Sequence, residues 1–263
     1  MAADYRTARN SKRMGVSQLT RWMDARLYPS YQDHWDDRRF RAYVLERLKS
    51  HDWMLDLGAG RGAVPEMDFR MHAKFLAAVD PDPVVLENPF VHEAKLLDLK
   101  TGRIPYPDNT FDVVIANNVL EHLRNPELTF GEISRVLKPG GLFLGKTPNK
   151  RHYVPTVARF TPLSVHGFVN RLRGRDMRDT FPTLYRCNTP ETIATHASKT
   201  GFRVCDVALW EGRPEYLRLS ALTYLAGFLY ERLVNTVSLL SAFRCVIAFT
   251  LGKQGRALLK STS

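Results

Sequence analysis

Leu55-Asp56-Leu57-Gly58-Ala59-Gly60-Arg61-Gly62-Ala63 decides the fold. An apolar run of strand length, starting at Trp53, stops at a glycine cluster. Glycine tolerates positive φ and lets a ligand come close to the backbone. In an open parallel sheet such a turn lies at the C-terminal edge, where ligands bind. The spacing Gly58-x-Gly60-x-x-Ala63 also fits a dinucleotide fingerprint, so the loop alone leaves the ligand open. Asp80 closes the next apolar run, Phe75 to Val79. It stands about 20 residues on, where an acid can bind the two hydroxyls of a ribose. The same acid could instead cap the turn Asp80-Pro81-Asp82-Pro83.

Further strand-length runs follow at Ala94 to Leu97, Phe111 to Ala116 and Leu142 to Gly145. Helical spacing covers Arg38 to Lys49, with Phe40, Val44, Leu45 and Leu48 on one face. A second helical pattern, Glu127 to Leu137, ends at the stop Lys138-Pro139-Gly140-Gly141. A third helix is expected over Thr189 to Thr200, with Thr189 as N-cap, Pro190 in the first position and Gly201 at the end. Arg203 to Trp210 reads as a strand and Glu215 to Leu240 as one long or broken apolar helix. Phe243 to Leu251 reads as the last strand. Strands alternating with helices imply an α/β fold, a Rossmann-like doubly wound and mostly parallel sheet with helices on both faces.

The composition is that of an ordinary globular protein, 44% hydrophobic and 25% charged over 263 residues. Cys187, Cys205 and Cys245 form no CxxC pair, which points away from a zinc site or a disulfide framework and toward a reducing cytoplasm. The basic stretch Arg6 to Arg13 lacks the apolar core of a signal peptide, and no run of about 20 apolar residues predicts a membrane span. The net charge of +11 would attract nucleic acid, anionic lipid or a phosphorylated substrate without choosing among them.

What chooses is an ordered series: Leu97-Asp98-Leu99, Ile104-Pro105-Tyr106-Pro107-Asp108, Phe111-Asp112-Val113-Val114, Asn118-Val119-Leu120-Glu121-His122, Glu132-Ile133 and Arg135 to Gly141. From about Trp53 to Asn149 this resembles the class I S-adenosylmethionine-dependent methyltransferases, in particular the group that includes the ubiquinone- and menaquinone-biosynthesis enzymes. The resemblance implies a seven-stranded sheet and S-adenosyl-L-methionine as cofactor, with S-adenosyl-L-homocysteine as product. It implies that Asp56 and the loop of Gly58, Ala59 and Gly60 up to Gly62 hold the methionine end. Asp80 would hold the ribose, Asp98 the adenine amino group with the Leu99 backbone beside it, and Asn117 would lie near the sulfonium. Pro81 and Asn118 complete the expected cofactor set. Some relatives carry Glu-x-x-Glu-His and a divalent ion. Here Asn118 replaces the first Glu, while Glu121 and His122 remain, so no resident metal is expected.

Four segments are expected: a helical cap over 1–50, a cofactor-binding core over 51–149, a basic lid over 150–188, and the rest of the catalytic domain over 189–263 with the added apolar helix. The lid carries eight basic residues between Lys150 and Arg186 against Asp176 and Asp179. It suits an anionic group or is a solvated basic exterior. Tyr153, Phe160, Phe168, Phe181 and Tyr185 could close over an acceptor, with Tyr28, Tyr31 and Trp35 opposite. A hydroxyl acceptor needs its proton removed. His122 and His152 are the candidate bases, with Tyr153 and His166 behind them; each could equally be a hydrogen-bonded structural residue.

The expected partner is a small-molecule acceptor with an O, S or N nucleophile, and nucleic acid is not expected. The 217–240 helix reads as core or dimer surface, or as a contact with the inner face of a membrane, which would suit a lipid-linked or glycan acceptor. A non-catalytic module that only binds the cofactor is the other class of reading.

Overall fold

The computed structural model describes residues 18–31, 34–160 and 182–255. In chain order the elements are α1 (Gln18–Leu27), α2 (Trp35–Leu45), β1 (Trp53–Leu57), β2 (Phe75–Asp80), β3 (Glu93–Leu96), β4 (Phe111–Asn117), α3 (Pro126–Val136), β5 (Leu137–Pro148), α4 (Tyr153–Phe160), α5 (Pro190–Lys199), β6 (Phe202–Trp210), α6 (Ala221–Thr236) and β7 (Val246–Lys253). His166, Phe168, Phe181 and the arginines at 171–178 lie outside the described residues.

The seven strands form one sheet in the order β3-β2-β1-β4-β5-β7-β6. The first five run parallel, and β7 is antiparallel to both neighbours. Side chains alternate across it, as the pleat requires. Met54, Leu76, Val113 and Ile115 meet Phe40 and Val44 of α2 on one face. Leu55, Val114 and Phe143 meet Phe130 and Ile133 of α3 and Ile193 and Ala197 of α5 on the other. The expected α/β architecture is therefore observed, with helices on both faces. The first crossovers are lean, however. Single 3-10 turns, Pro65–Met67 and Pro83–Glu87, stand after β1 and β2 where a doubly wound fold usually has full helices. Each turn opens on a proline, Pro65 and Pro83.

Several element edges moved. The stop after α3 does end the helix at Val136, but the chain enters β5 at once, and Lys138 to Gly141 sits in an irregular stretch where the register with β4 shifts. The apolar helix is shorter than its pattern. Ser220 and Thr223 form a reciprocal cap that starts it, and Val237 turns extended and ends it before a 3-10 turn over Ser238–Phe243. Thr189 and Thr192 cap α5 in the same reciprocal way.

The chain divides into two compact units that differ from four consecutive segments. The sheet unit takes His34–Asn149, Thr183–Trp210 and β7. It thus includes α2, which belongs with the sheet because its apolar face packs there. The second unit takes the described parts of 1–33 and 150–182 with Glu211–Cys245. Within it, Tyr28 of α1 packs edge-on against Tyr224 and Phe228 of α6 and donates to Glu231 Oε2 at 3.0 Å. Asp24 pairs with Arg218 and accepts from the Tyr224 hydroxyl at 2.9 Å.

Gly145 in β5 leaves room for the buried Phe249 ring on its β7 partner; an added Cβ would lie 2.2 Å from that ring. Gly145→Ala is expected to destabilise the protein by about 1–3 kcal/mol through overpacking, read as a lower denaturant midpoint with an unchanged slope.

Candidate functional site

A cleft opens at the C-terminal ends of β1 and β4, lined by Asp56, Gly58, Ala59, Gly62, Asn88 and Asn117, with Val64, Met67, Phe90 and Val91 supplying apolar walls. About 390 Å³ of space lies in it, part of it open to solvent. The loop that shapes it adopts left-handed φ at Gly58 (74°), Gly60 (51°) and Gly62 (73°). Two of these glycines are also sterically forced. A Cβ on Gly58 would meet Val119 at 2.5 Å, and one on Gly62 would meet Asn88 Oδ1 at 2.5 Å. Gly60 differs, since nothing lies within 4 Å of the space its Cβ would fill.

Three contacts hold the loop. The Gly58 N–H donates to Val79 O at 2.7 Å, and Asn88 Nδ2 donates to Gly60 O at 3.0 Å. Asp80 Oδ2 accepts from the Gly60 N–H at 3.0 Å, while its Oδ1 accepts from the Asp82 N–H at 2.8 Å. Asp80 thus caps its own turn and also grips the loop. Its carboxyl is raised by burial, against the pull of those two N–H donors. Asp56 is buried and accepts no hydrogen bond from the described residues, and burial with the nearby Asp80 charge pushes it up to about 8.

Residues 55–145 match the family described as the methyltransferase domain. Over 120 residues the chain is 32% identical to an uncharacterized methyltransferase of Schizosaccharomyces pombe, covering 38% of this chain and 41% of that protein. Over 102 residues it is 33% identical to a ubiquinone biosynthesis O-methyltransferase of Bradyrhizobium sp., covering 37% and 40%. The chain spans about half the length of the curated relatives it matches, or less. Among solved structures, Haemonchus contortus phosphoethanolamine N-methyltransferase 2 with S-adenosyl-L-methionine superposes with a TM-score of 0.51 at 18% identity, over 84% of this chain and 53% of that one. The cyclase SpnF superposes with 0.52 at 18% identity, over 83% and 81%. At such identities these likenesses speak to fold alone. Residues 55–145 are thus similar to a methyltransferase domain.

The sheet unit gathers some of the expected cofactor residues and leaves others apart. Asp56, Gly58, Ala59 and Asn117 line the cleft, with Gly60 in the same loop and Asp80 behind it. Pro81 follows Asp80 in the half-buried turn. Asn118 takes a left-handed φ of 57° and donates its N–H to Lys146 O. Asp98 and Leu99 lie in an exposed turn after β3, where Asp98 Oδ1 accepts from the Lys100 N–H at 2.8 Å, and neither lines the cleft. Asn88, Phe90 and Met67 are lining residues that no motif announced.

Behind Asn117 lies a charged network that the sequence also concealed. Lys146 is fully buried on β5, and its Nζ donates to Asp36 Oδ2 and Asp37 Oδ1, both at 2.6 Å. Asn117 Nδ2 donates to the same Asp37 oxygen at 2.9 Å. A carboxylate only accepts, so the amide nitrogen must face Asp37 and Oδ1 must face away. That Oδ1 is buried and has no hydrogen-bond partner. Burial works to raise the Asp37 carboxyl, but His34, Lys146 and Asn117 outweigh it and hold the group well below the usual range.

The histidines divide between the units. His122 ends a 3-10 turn, with Nε2 3.9 Å from Glu121 Oε1. Glu121 itself is buried, its Oε2 taking the Thr147 hydroxyl at 3.0 Å. Among the described residues no cluster of three His, Cys, Asp or Glu could hold a metal. His152, in the other unit, is buried against the Tyr153 ring at 4.1 Å. Its Nδ1 accepts from the Val154 N–H at 3.4 Å, and its Nε2 lies 3.4 Å from Glu211 Oε2 without a well-formed hydrogen bond. Burial lowers His152 to about 4 and raises Glu211 to about 7. Tyr153 is likewise raised by burial.

Lys146→Met strips the cation from Asp37, and leaving one partner of a buried pair uncompensated is expected to destabilise by about 3–5 kcal/mol in denaturant unfolding. Asp56 is raised in the folded chain, so folding favours its protonated form. Its contribution is then fully present below the unfolded value of about 4 and is lost as pH rises toward 8. Melting curves of the ligand-free protein from pH 5 to 8 should fall less steeply for Asp56→Asn than for wild type, with the buried Asp80 leaving part of the slope.

Proposed function

We propose that this chain is an S-adenosylmethionine-dependent methyltransferase that transfers a methyl group to a small-molecule acceptor by in-line displacement. The observation that carries the reading is the cleft itself. Two of its lining residues carry acceptor groups without hydrogen-bond partners among the described residues, the Asp56 carboxyl and Asn117 Oδ1. A cofactor with an ammonium and a sulfonium supplies the positive charge such a cleft lacks. In this reading Asp56 and the glycine loop take the methionine end, Asp80 the ribose hydroxyls, and Asn117 the region of the sulfonium. Asp98 and Leu99 would meet the adenine from their turn after β3.

The bound cofactor supplies an electrophilic methyl group on a positive sulfur. The protein's part is to hold donor and acceptor in line and keep water away, which can be worth roughly 7–11 kcal/mol. For a hydroxyl acceptor we assign proton removal to His122, which follows β4 in the same unit as the cleft.

The fold alone also hosts a cyclase, so turnover decides. The test is an acceptor screen that detects S-adenosyl-L-homocysteine release from hydroxyl, amine and thiol compounds, with and without a chelator. Release should occur and survive the chelator; cofactor binding with no release from any class would leave a binding module instead. Asp80→Ala should weaken S-adenosyl-L-homocysteine binding about 10- to 150-fold, the loss of hydrogen bonds to a charged group. Unchanged affinity in calorimetry would sink the cofactor assignment. His122→Ala should slow a hydroxyl acceptor by about 10²–10⁴-fold while leaving S-adenosyl-L-homocysteine binding unchanged.

A further inference from the structure

We infer that the outer face of α6 docks on an anionic phospholipid surface. α6 buries Tyr224, Gly227, Glu231 and Val234. The opposite side exposes Leu222 (79%), Leu225 (46%), Leu229 (59%) and Leu233 (50%). Their spacing of three, four and four residues places them in one stripe along the helix. Leu219 before the helix and Leu239 after it are exposed as well. Four leucines facing water along one helix is a contiguous apolar patch, and such patches mark interaction sites.

The charges of the same unit select the occupant. Its described acids are all partnered: Asp24 to Arg218, Glu215 to Arg213 and Arg218, Glu211 to backbone N–H groups, and Glu231 to the Tyr28 hydroxyl, Asn235 and the inner nitrogen of the half-exposed Arg232. None of these four is exposed, whereas Arg21, Arg26, Lys150, Arg151 and Arg232 are. Arg232 lies over the Phe228 ring beside the leucine stripe. A second copy of this surface would bring cations against cations. A nucleic acid would satisfy the cations and leave the leucines wet. An anionic bilayer offers phosphate for the cations and an apolar layer for the leucines, which is how interfacial helices bind. Among the described residues no helix is long and apolar enough to cross a membrane, so α6 would lie in the surface plane.

The test is co-sedimentation of the full chain with vesicles of phosphatidylcholine alone and of phosphatidylcholine with phosphatidylglycerol. Binding to the anionic vesicles is expected, at least about tenfold weaker without phosphatidylglycerol and falling with salt. The double variant Leu222→Glu, Leu229→Glu should lose at least about tenfold in affinity while its melting curve holds. Arg21→Gln and Arg26→Gln, both at exposed positions where misfolding is not an issue, should lose about fivefold each, the equivalent of about 1 kcal/mol per cation. No wild-type binding to either vesicle, or equal binding by the leucine variant, overturns the inference. So does a concentration-dependent dimer in light scattering that the leucine variant abolishes, since the stripe would then belong to a second copy.

Discussion

The cleft depends on one hydrogen bond, from the Gly60 N–H to the carboxylate of Asp80. It ties the end of β2 to the loop that follows β1, across neighbouring parallel strands. With the Gly58 N–H on Val79 O it fixes a loop of three left-handed glycines, and glycine loses more conformational freedom on ordering than any other residue. Asn88 adds a second tie from the next crossover. The geometry of the site is thus set from β2 and its turn, while β1 provides the strand on which the loop is mounted.

That dependence follows from the lean crossovers. A full helix after the loop would normally brace it. Here the chain makes one 3-10 turn at Pro65 and returns to the sheet. Bracing has moved to polar contacts and to the far side of β4. Lys146, Asp36 and Asp37 place a closed charge network against Asn117, and α2 enters the sheet unit because it brings the two aspartates to that network. A buried ion pair is weak evidence for stability in itself. Its consequence here is directional: Asp37 accepts from Asn117, so the amide oxygen is the atom left for a ligand.

The sheet was legible because its strands are short apolar runs ended by glycine, aspartate or asparagine, and period and punctuation are local signals. The same holds for Thr189, whose capping role is written in four residues. Strand β5 was underread because Pro139 and two glycines look like a turn, yet an irregular register lets the chain stay in the sheet. The glycine loop and Asp80 could be found by spacing. Asn88, Asp37, Lys146 and Glu211 could not. Each acts across 28 to 109 residues or through burial, and nothing nearby in sequence marks a lysine as buried. The turn holding Asp98 and Leu99 shows the reverse case. A motif in fixed order locates a segment along the chain without placing its side chains in the cleft.

The spacing of Gly58, Gly60 and Ala63 left a nicotinamide dinucleotide and S-adenosyl-L-methionine unresolved, and electrostatics separates them. A dinucleotide rests its pyrophosphate on the first turn of a helix, where free N–H groups and the helix dipole favour negative charge. The chain after Gly62 supplies no such helix, since Val64 is extended and the next turn is a short 3-10. The described side chains lining the cleft include no lysine or arginine, and Asp56 lines it with Asp80 behind the loop. A pyrophosphate placed there would meet carboxyl groups with no compensating cation. A ligand bearing an ammonium and a sulfonium meets the same carboxyls as a partner and would draw the proton off Asp56, converting a burial penalty into an ion pair. Burial of the Asp56 carboxyl, which raises it to about 8, favours a cation as its partner.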